Sequence, residues 1–476
     1  MAQRITRRAF FGTVAAATAA TVVSACRPTL TPTGQPPATK APVATQPAVE
    51  PTKPAATAAP TAVPTAKPAP TVALAGQKVE FWGVESAQGN EQLLALLKEM
   101  QAKTGLTIEF VRAPGGWPSQ LDRLAAAIAA GSGPDIAHIK DFNMWDYAWR
   151  GALLPLDEYY AKDNVDTKVF RKSIWEAMHY QGKAYGAPWK GSFVWGLFLN
   201  DTLFQQAGLD PVKDAPAKWP QVVEVAKKLT DESAKRYGYG FYDLGITEPN
   251  FMLFSAYVGQ AGGKVISADK TKLTLDTPEA NEAMQWMYDL LWTHKVAVPP
   301  AMMASLSDMT LAGSVGMWIT GFWSPAGYDA NAPQLKYSTR PMHCYKTCDN
   351  VDTPECMVVL KGAKRPVLSW EAIKLLLDPK IDLERSWVTG WLPAYVDNLD
   401  KQWQQAPKNQ AVWKTLAEMG KNPDLRPRQW VEGYDAMVSA VMPELQAVWF
   451  NKAKVKDGLA AAEKAGNEAL ARAQKR

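Results

Sequence analysis

Histidine and cysteine are both scarce in this chain, four of each among 476 residues. The histidines stand apart at 138, 179, 294 and 343, and there is no His-Glu-x-x-His pair, no Gly-x-Ser-x-Gly elbow and no phosphate-binding glycine loop. The usual groups of metallohydrolases, serine hydrolases and nucleotide-binding enzymes are therefore missing, and no catalytic residue, cofactor or resident metal is expected. After residue 26 no run is long and apolar enough to span a bilayer. Charge of one sign is lacking as well. The formal net charge is +5, but residues 1 to 77 hold seven Lys or Arg and one Glu, which leaves 45 basic and 46 acidic residues beyond them. A nearly neutral folded part has no basic footprint, so no nucleic-acid partner is expected.

Large apolar side chains are rare between residues 27 and 77, where 12 Pro, 10 Thr and 13 Ala fill most of the 51 positions. Such a stretch has too little to bury to offset its ordering entropy, and its prolines favour an extended spacer. At about 3.1 Å per residue its reach is at most roughly 160 Å. The same Thr and Pro content suits a glycosylated stalk. Ahead of it, residues 1 to 26 run from Thr6-Arg7-Arg8-Ala9-Phe10-Phe11 through an uncharged stretch to Val23-Ser24-Ala25-Cys26. A basic start, a short apolar run and small residues before a cleavage point describe an export signal. The arginine pair resembles a twin-arginine signal and the last four residues resemble a lipobox, which makes Cys26 the expected acylated tether on the outer face of the cytoplasmic membrane.

What is abundant is tryptophan, and all 19 lie beyond residue 77. About 400 residues exceed what a single core usually serves, so two lobes are expected. The order of elements is legible. Lys78-Val79-Glu80-Phe81-Trp82 alternates like a strand, and Asn90 is the expected cap of a helix with Leu93, Leu96, Leu97 and Met100 on one face, closed by Gly105. A strand over 106–112, a helix with Leu121, Leu124 and Ile128 on one stripe, and a short strand over 135–139 complete a β-α-β-α-β order. Further helices start at Trp219-Pro220 and Thr277-Pro278. The alternation predicts α/β lobes with mixed, mainly parallel sheets flanked by helices.

Several segments, taken in order, resemble the extracellular solute-binding proteins of bacterial ABC importers that capture sugars and oligosaccharides. Gly133-Pro134-Asp135-Ile136 is similar to the family's Pro-Asp strand, and residues 151–157 to the turn after its next helix. Gly182-Lys183-Ala184-Tyr185-Gly186-Ala187-Pro188 is similar to Gly-x-x-Tyr-Gly-x-Pro, and Leu199-Asn200-Asp201 stands where Tyr-Asn-Lys is usual. Gly316-Met317-Trp318-Ile319-Thr320-Gly321-Phe322-Trp323 resembles Ala-Met-x-x-x-Gly-x-Trp, and Thr389-Gly390-Trp391-Leu392-Pro393 the Gly-x-x-Pro near a third crossing. The resemblance covers residues 78 to about 395. It implies a two-lobed, class II periplasmic-binding-protein fold with a hinge, the first lobe being 78–188 with 357–388 and the second 189–356 with 389–476. It also implies a monomer that delivers a saccharide to permease subunits without turnover.

A pyranose presents C–H faces and a hydroxyl rim, so its site stacks aromatic rings on the faces and hydrogen-bonds the rim with carboxylates, amides or Arg. The candidates are Trp82, Trp189, Trp318, Trp323 and Trp391 for stacking, and Glu85, Asp141 and Asn143 for the rim. Asp141 reads equally well as a helix N-terminal carboxylate. Trp286 and Trp292 lie within amphipathic helices and read as core. Other solutes, such as a polyamine, a polyol phosphate or a peptide, and a secreted glycan-active enzyme remain the competing readings. Cys344, Cys348 and Cys356 are close in sequence. Outside the cytoplasm they suit one disulfide and one thiol, with His343 they could present a zinc set, and all three could stay reduced.

Overall fold

In the computed structural model, which describes residues 73–406 and 408–475 without the side chain of Phe193, the expected β-α-β-α-β start is present. The export segment, Cys26 and the spacer up to residue 72 lie outside the described residues. Strand Lys78–Gly83 alternates because Val79 and Phe81 are fully buried in a core while Glu80 and Trp82 face the other way, half-exposed. Helix Ala87–Thr104 follows, and Gly105 ends it at φ 74°. Its cap is Ser86 rather than Asn90: the Ser86 Oγ accepts from Gly89 N at 2.9 Å, and Asn90 falls inside the first turn. Ser86 has the extended backbone and short acceptor that a cap needs, and it comes first.

Strand Thr107–Arg112 pairs in parallel with the first strand, Lys78 opposite Thr107. Helix Gly116–Ala129 leads to strand Ile136–Lys140, parallel on the other edge with Phe81 opposite Ile136. The long strand Val351–Val358 is antiparallel to Ile136–Lys140, with Glu355 opposite Lys140, and holds Ala187–Phe193 antiparallel on its other edge. A second sheet is built from Tyr337–Pro341, Trp195–Asn200, Val315–Gly321 and Tyr237–Gly240 in that lateral order. The last two are parallel and the other pairings antiparallel. Both sheets are thus mixed, because strands that leave or return between them run against the βαβ direction. One face of the first sheet makes its own core with Leu93, Leu368 and Ile373. The second sheet's core continues into the C-terminal hairpin of helices Tyr434–Trp449 and Val455–Ala473.

The chain crosses between the sheets at three neighbouring places, and Arg171 ties them together. Only 4% exposed, it donates from Nη1 to Ser192 Oγ at 2.7 Å and to Pro393 O at 3.4 Å, from Nε to Gly420 O at 3.2 Å, and from Nη2 to Asp352 Oδ2 at 2.5 Å. Ser192 and Leu392 exchange both backbone hydrogen bonds, at 3.2 and 3.1 Å. This close approach needs Gly191, since a Cβ there would lie 1.8 Å from Leu392 O. Gly191→Ala is expected to cost about 1–3 kcal/mol or more in a urea titration. Gly327→Ala, in helix Ser324–Asn331 with open space around it, should cost nothing and gain up to about 1 kcal/mol.

Cys344 is joined to Cys348, and Cys356 is a buried thiol in the strand Val351–Val358. The Cys344–Cys348 loop carries Tyr345, whose ring stacks on Trp219 at 4.5 Å, and Trp219 stacks in turn on Trp286 at 4.6 Å. Trp286 and Trp292 are half-buried and pack against the larger core. Among the described residues no group of three or more His, Cys, Asp or Glu could hold a metal ion. Among them, too, no helix is long and apolar enough to cross a membrane.

Candidate ligand-binding cleft

Parallel strands deliver their C-terminal ends to one edge, so the first sheet presents the segments after Gly83, Arg112 and Lys140 together. The parallel pair of the second sheet does the same after Gly240 and Gly321, which places Tyr242 and Trp323 side by side, ring centroids 5.9 Å apart. Arg428 joins the two edges. It donates to Asp141 from Nη2 at 3.3 Å and Nε at 3.5 Å, while Nη1 pairs with Glu248. Asp141 and Glu248 each begin a helix, Asp141–Trp149 and Glu248–Gln260, where the macrodipole favours a carboxylate. Tyr434 donates to Glu248 at 3.0 Å. Burial pushes the Asp141 carboxyl up, against the pull of Arg428.

Beside this link lies a buried ionic chain. Arg385 Nη2 donates to Glu85 Oε1 at 2.6 Å, Lys190 Nζ sits 3.4 Å from Glu85 and 3.1 Å from Glu355, and His138 Nε2 is 2.7 Å from Glu355 Oε2. Val84 N donates to His138 Nδ1, which leaves Nε2 to face Glu355, and burial holds the imidazole below its ordinary range against the pull of that carboxylate. Burial acts to raise Glu355, but Lys190, His138 and Lys140 outweigh it and hold the carboxyl down at about 2. For Glu85, too, burial opposes ionisation, and Lys190 with Arg385 overcomes it. The Arg385 guanidinium lies 3.7 Å from the Trp189 ring centroid, and its Nε and Nη1, like Trp189 Nε1, have no protein acceptor.

The predicted residues separate into four groups. Trp323 and Trp391 are half-buried neighbours: a Cβ on Gly390 would touch Trp323 Cα at 2.9 Å, and Lys190 Nζ stands 5.6 Å from the Trp391 ring. Gly321 is part of this arrangement, because a Cβ there would strike the Trp323 ring folded back over the strand end. Glu85, Asp141 and Asn143 do lie at the facing edge, yet each is already engaged, Asn143 Nδ2 donating to Asp435 Oδ2 at 3.2 Å. Trp82 is half-exposed at the strand end, under the Arg123 guanidinium at 4.5 Å. Trp318 and Trp189 are in the interior instead. Trp318 is 2% exposed, stacks on Phe198 and donates to Tyr328 OH, since its position in the strand points it at the core. Trp189 is 4% exposed against Phe81. Sequence reasoning missed Lys190, Tyr242, Glu248, Arg385, Arg428 and Asp435. Of these only Lys190 had a signal, its position next to Trp189.

Asp435 carries a pH dependence. Burial, then the nearby Asp146 charge, pushes its carboxyl up to about 7. The folded chain therefore holds this proton more tightly than the unfolded chain does. The resulting stability is complete below about pH 4 and is lost as pH rises to about 7. Asp435→Asn should abolish that decline, gaining on the parent by at most about 1.4 kcal/mol per pH unit across the interval, as read from urea midpoints at pH 4 to 8.

A family model for bacterial extracellular solute-binding proteins matches residues 85–382. The chain belongs to that family. A binding protein of Brucella abortus is 23% identical to this solute-binding protein over 368 residues, 75% of this chain and 85% of that one. A maltotriose-binding protein of Pyrococcus abyssi is 27% identical over 214 residues, 44% of this chain and 42% of that one. A solute-binding protein of Thermotoga lettingae, solved with α-D-tagatose bound, matches with a TM-score of 0.72 at 23% identity, covering 83% of this chain and 100% of that one. The fold of this solute-binding protein is thus the two-lobed α/β fold, with a hinge between lobes.

Proposed function

We propose that this chain takes a sugar or oligosaccharide between the facing edges of its two sheets and releases it chemically unchanged to the permease subunits of an ABC importer. The observation that carries this is the two half-buried indoles, Trp323 close to Gly390 and Trp391 beside Lys190 of the Lys190–Glu85–Arg385 chain. Flat rings serve the C–H faces, and ionised carboxylates with unpaired guanidinium N–H groups serve the hydroxyl rim. The lobes run 78–188 with 357–388 and 189–356 with 389–476. The boundaries at 188/189 and 356/357 fall within the crossing strands Ala187–Phe193 and Val351–Val358. The mature protein works as a monomer, held by acylated Cys26 and leashed by the proline-rich spacer.

A thermal-shift screen of the purified mature protein tests this. A saccharide at about 100 times its dissociation constant should add roughly 2.7 kcal/mol of stability. Shifts with spermidine, glycerol 3-phosphate or a peptide but with no saccharide would move the assignment to another solute. Release of shorter sugars from an oligosaccharide would make the chain a glycan-active enzyme.

A further inference from the structure

A pocket of about 830 Å³, lined by neither Trp323 nor Trp391, lies on the segment 426–432, which opens with the short strand Arg426–Pro427 beside Val351–Val358. One wall is aromatic: Trp430 stands edge-on to Trp145 at 5.6 Å and to Tyr180 at 5.5 Å, and both Trp430 and Tyr180 are half-exposed. The rim is polar and held in place. Tyr180 OH donates to Glu432 Oε1 at 2.6 Å, and Gln181 Nε2 donates to that hydroxyl at 2.9 Å. Across the opening, the loop bearing Lys264 and Lys270 is fixed because Gln429 Oε1 accepts from Val265 N and Ile266 N at 3.0 and 3.1 Å. Within the same loop Asp269 accepts from Ser267 and Thr271.

The charges of the lining cancel. Arg426 is paired in two places with Asp349, and Arg428 is given to Asp141 and Glu248. In all, Lys264, Lys270, Arg426 and Arg428 are matched in number by Glu176, Asp269, Asp349 and Glu432. A cavity of this size, with indole and phenol rings on one side and a neutralised ring of donors and acceptors on the other, suits a small amphipathic solute. A phosphate or a polyamine would leave its charge unmatched there. We propose that this pocket is a second ligand site, for a short neutral saccharide, separate from the cleft. The inference rests on the pocket's own lining and stands whether or not the cleft takes sugar. The two sites share the segment 426–432, whose Arg428 reaches the cleft residues Asp141 and Glu248.

Isothermal titration of the mature protein with maltose, maltotriose and mannobiose, each used singly, tests the proposal. The parent chain should take up two equivalents of at least one of them, a tight one and a weaker one. Trp430→Ala should weaken the second at least tenfold and leave the first within twofold, whereas Trp323→Ala should do the reverse. Should Trp430→Ala fail to fold, Tyr180→Ala replaces it, with a fivefold or greater loss expected at the second site alone. A second equivalent that is indifferent to Trp430 and Tyr180, or its absence with all three sugars, overturns the second site. Loss of the first equivalent only, with the second retained, overturns the cleft assignment instead.

Discussion

Arg171→Ala should cost about 3–5 kcal/mol of stability, a large share of what holds a folded chain of this kind together. The reason is what the substitution leaves behind. Asp352 is fully buried, and its Oδ1 already lacks a protein partner, so removing the guanidinium strands a carboxylate in the interior with only Ser173 beside it. The same guanidinium also donates to Ser192 and Pro393, which belong to two of the crossings, and to Gly420 at the end of helix Gln410–Gly420, so their relative setting loosens at once. A Arg171→Met, Asp352→Leu double substitution should recover most of the loss, because an apolar pair of similar volume leaves no charge uncompensated. Urea midpoints of the two variants make the measurement. A loss below about 1 kcal/mol in Arg171→Ala would show that the pair is solvated in solution.

Trp323→Ala should reduce affinity for the saccharide found in the thermal screen by about a hundredfold or more, near 3 kcal/mol, while the fold survives. Trp323 is half-buried at a strand end with Trp195 and Tyr242 around it, so truncation removes contact area for a ligand without emptying the core. Trp318→Ala is the opposite case. It should cost about 3–5 kcal/mol of stability through the cavity it opens beside Phe198. Calorimetry and denaturation on the two variants separate the roles. Equal affinity in Trp323→Ala and its parent would remove the indole from the site.

Local pattern was enough to read the β-α-β-α-β opening, Gly105 as the end of the first helix, and the proline-led helices Trp219–Leu229 and Pro278–Tyr288. These depend on alternation, helical periodicity and the backbone freedom of single residues, all of which act over a few positions. The Gly-x-Trp spacing at Gly321 and Trp323 belongs to the same class, since only a glycine leaves room for the ring to fold back. Trp318 stands in the interior for a reason of the same kind turned around. Two residues of one motif lie five apart, and strand geometry sends one to the core and leaves the other at the edge.

The chain order of strands and helices, the near neutrality of the folded part and the tryptophans of the Gly-x-Trp and Gly-Trp segments were determined by the sequence alone, because propensity and composition need no partner from elsewhere in the chain. Which charges meet was decided only by the tertiary structure. Glu85 finds Arg385 three hundred positions away, Asp141 finds Arg428, and Arg171 gathers Ser192, Asp352 and Pro393. Burying an ion demands a counter-ion at hydrogen-bond distance, and that distance is set by how the crossing strands come together.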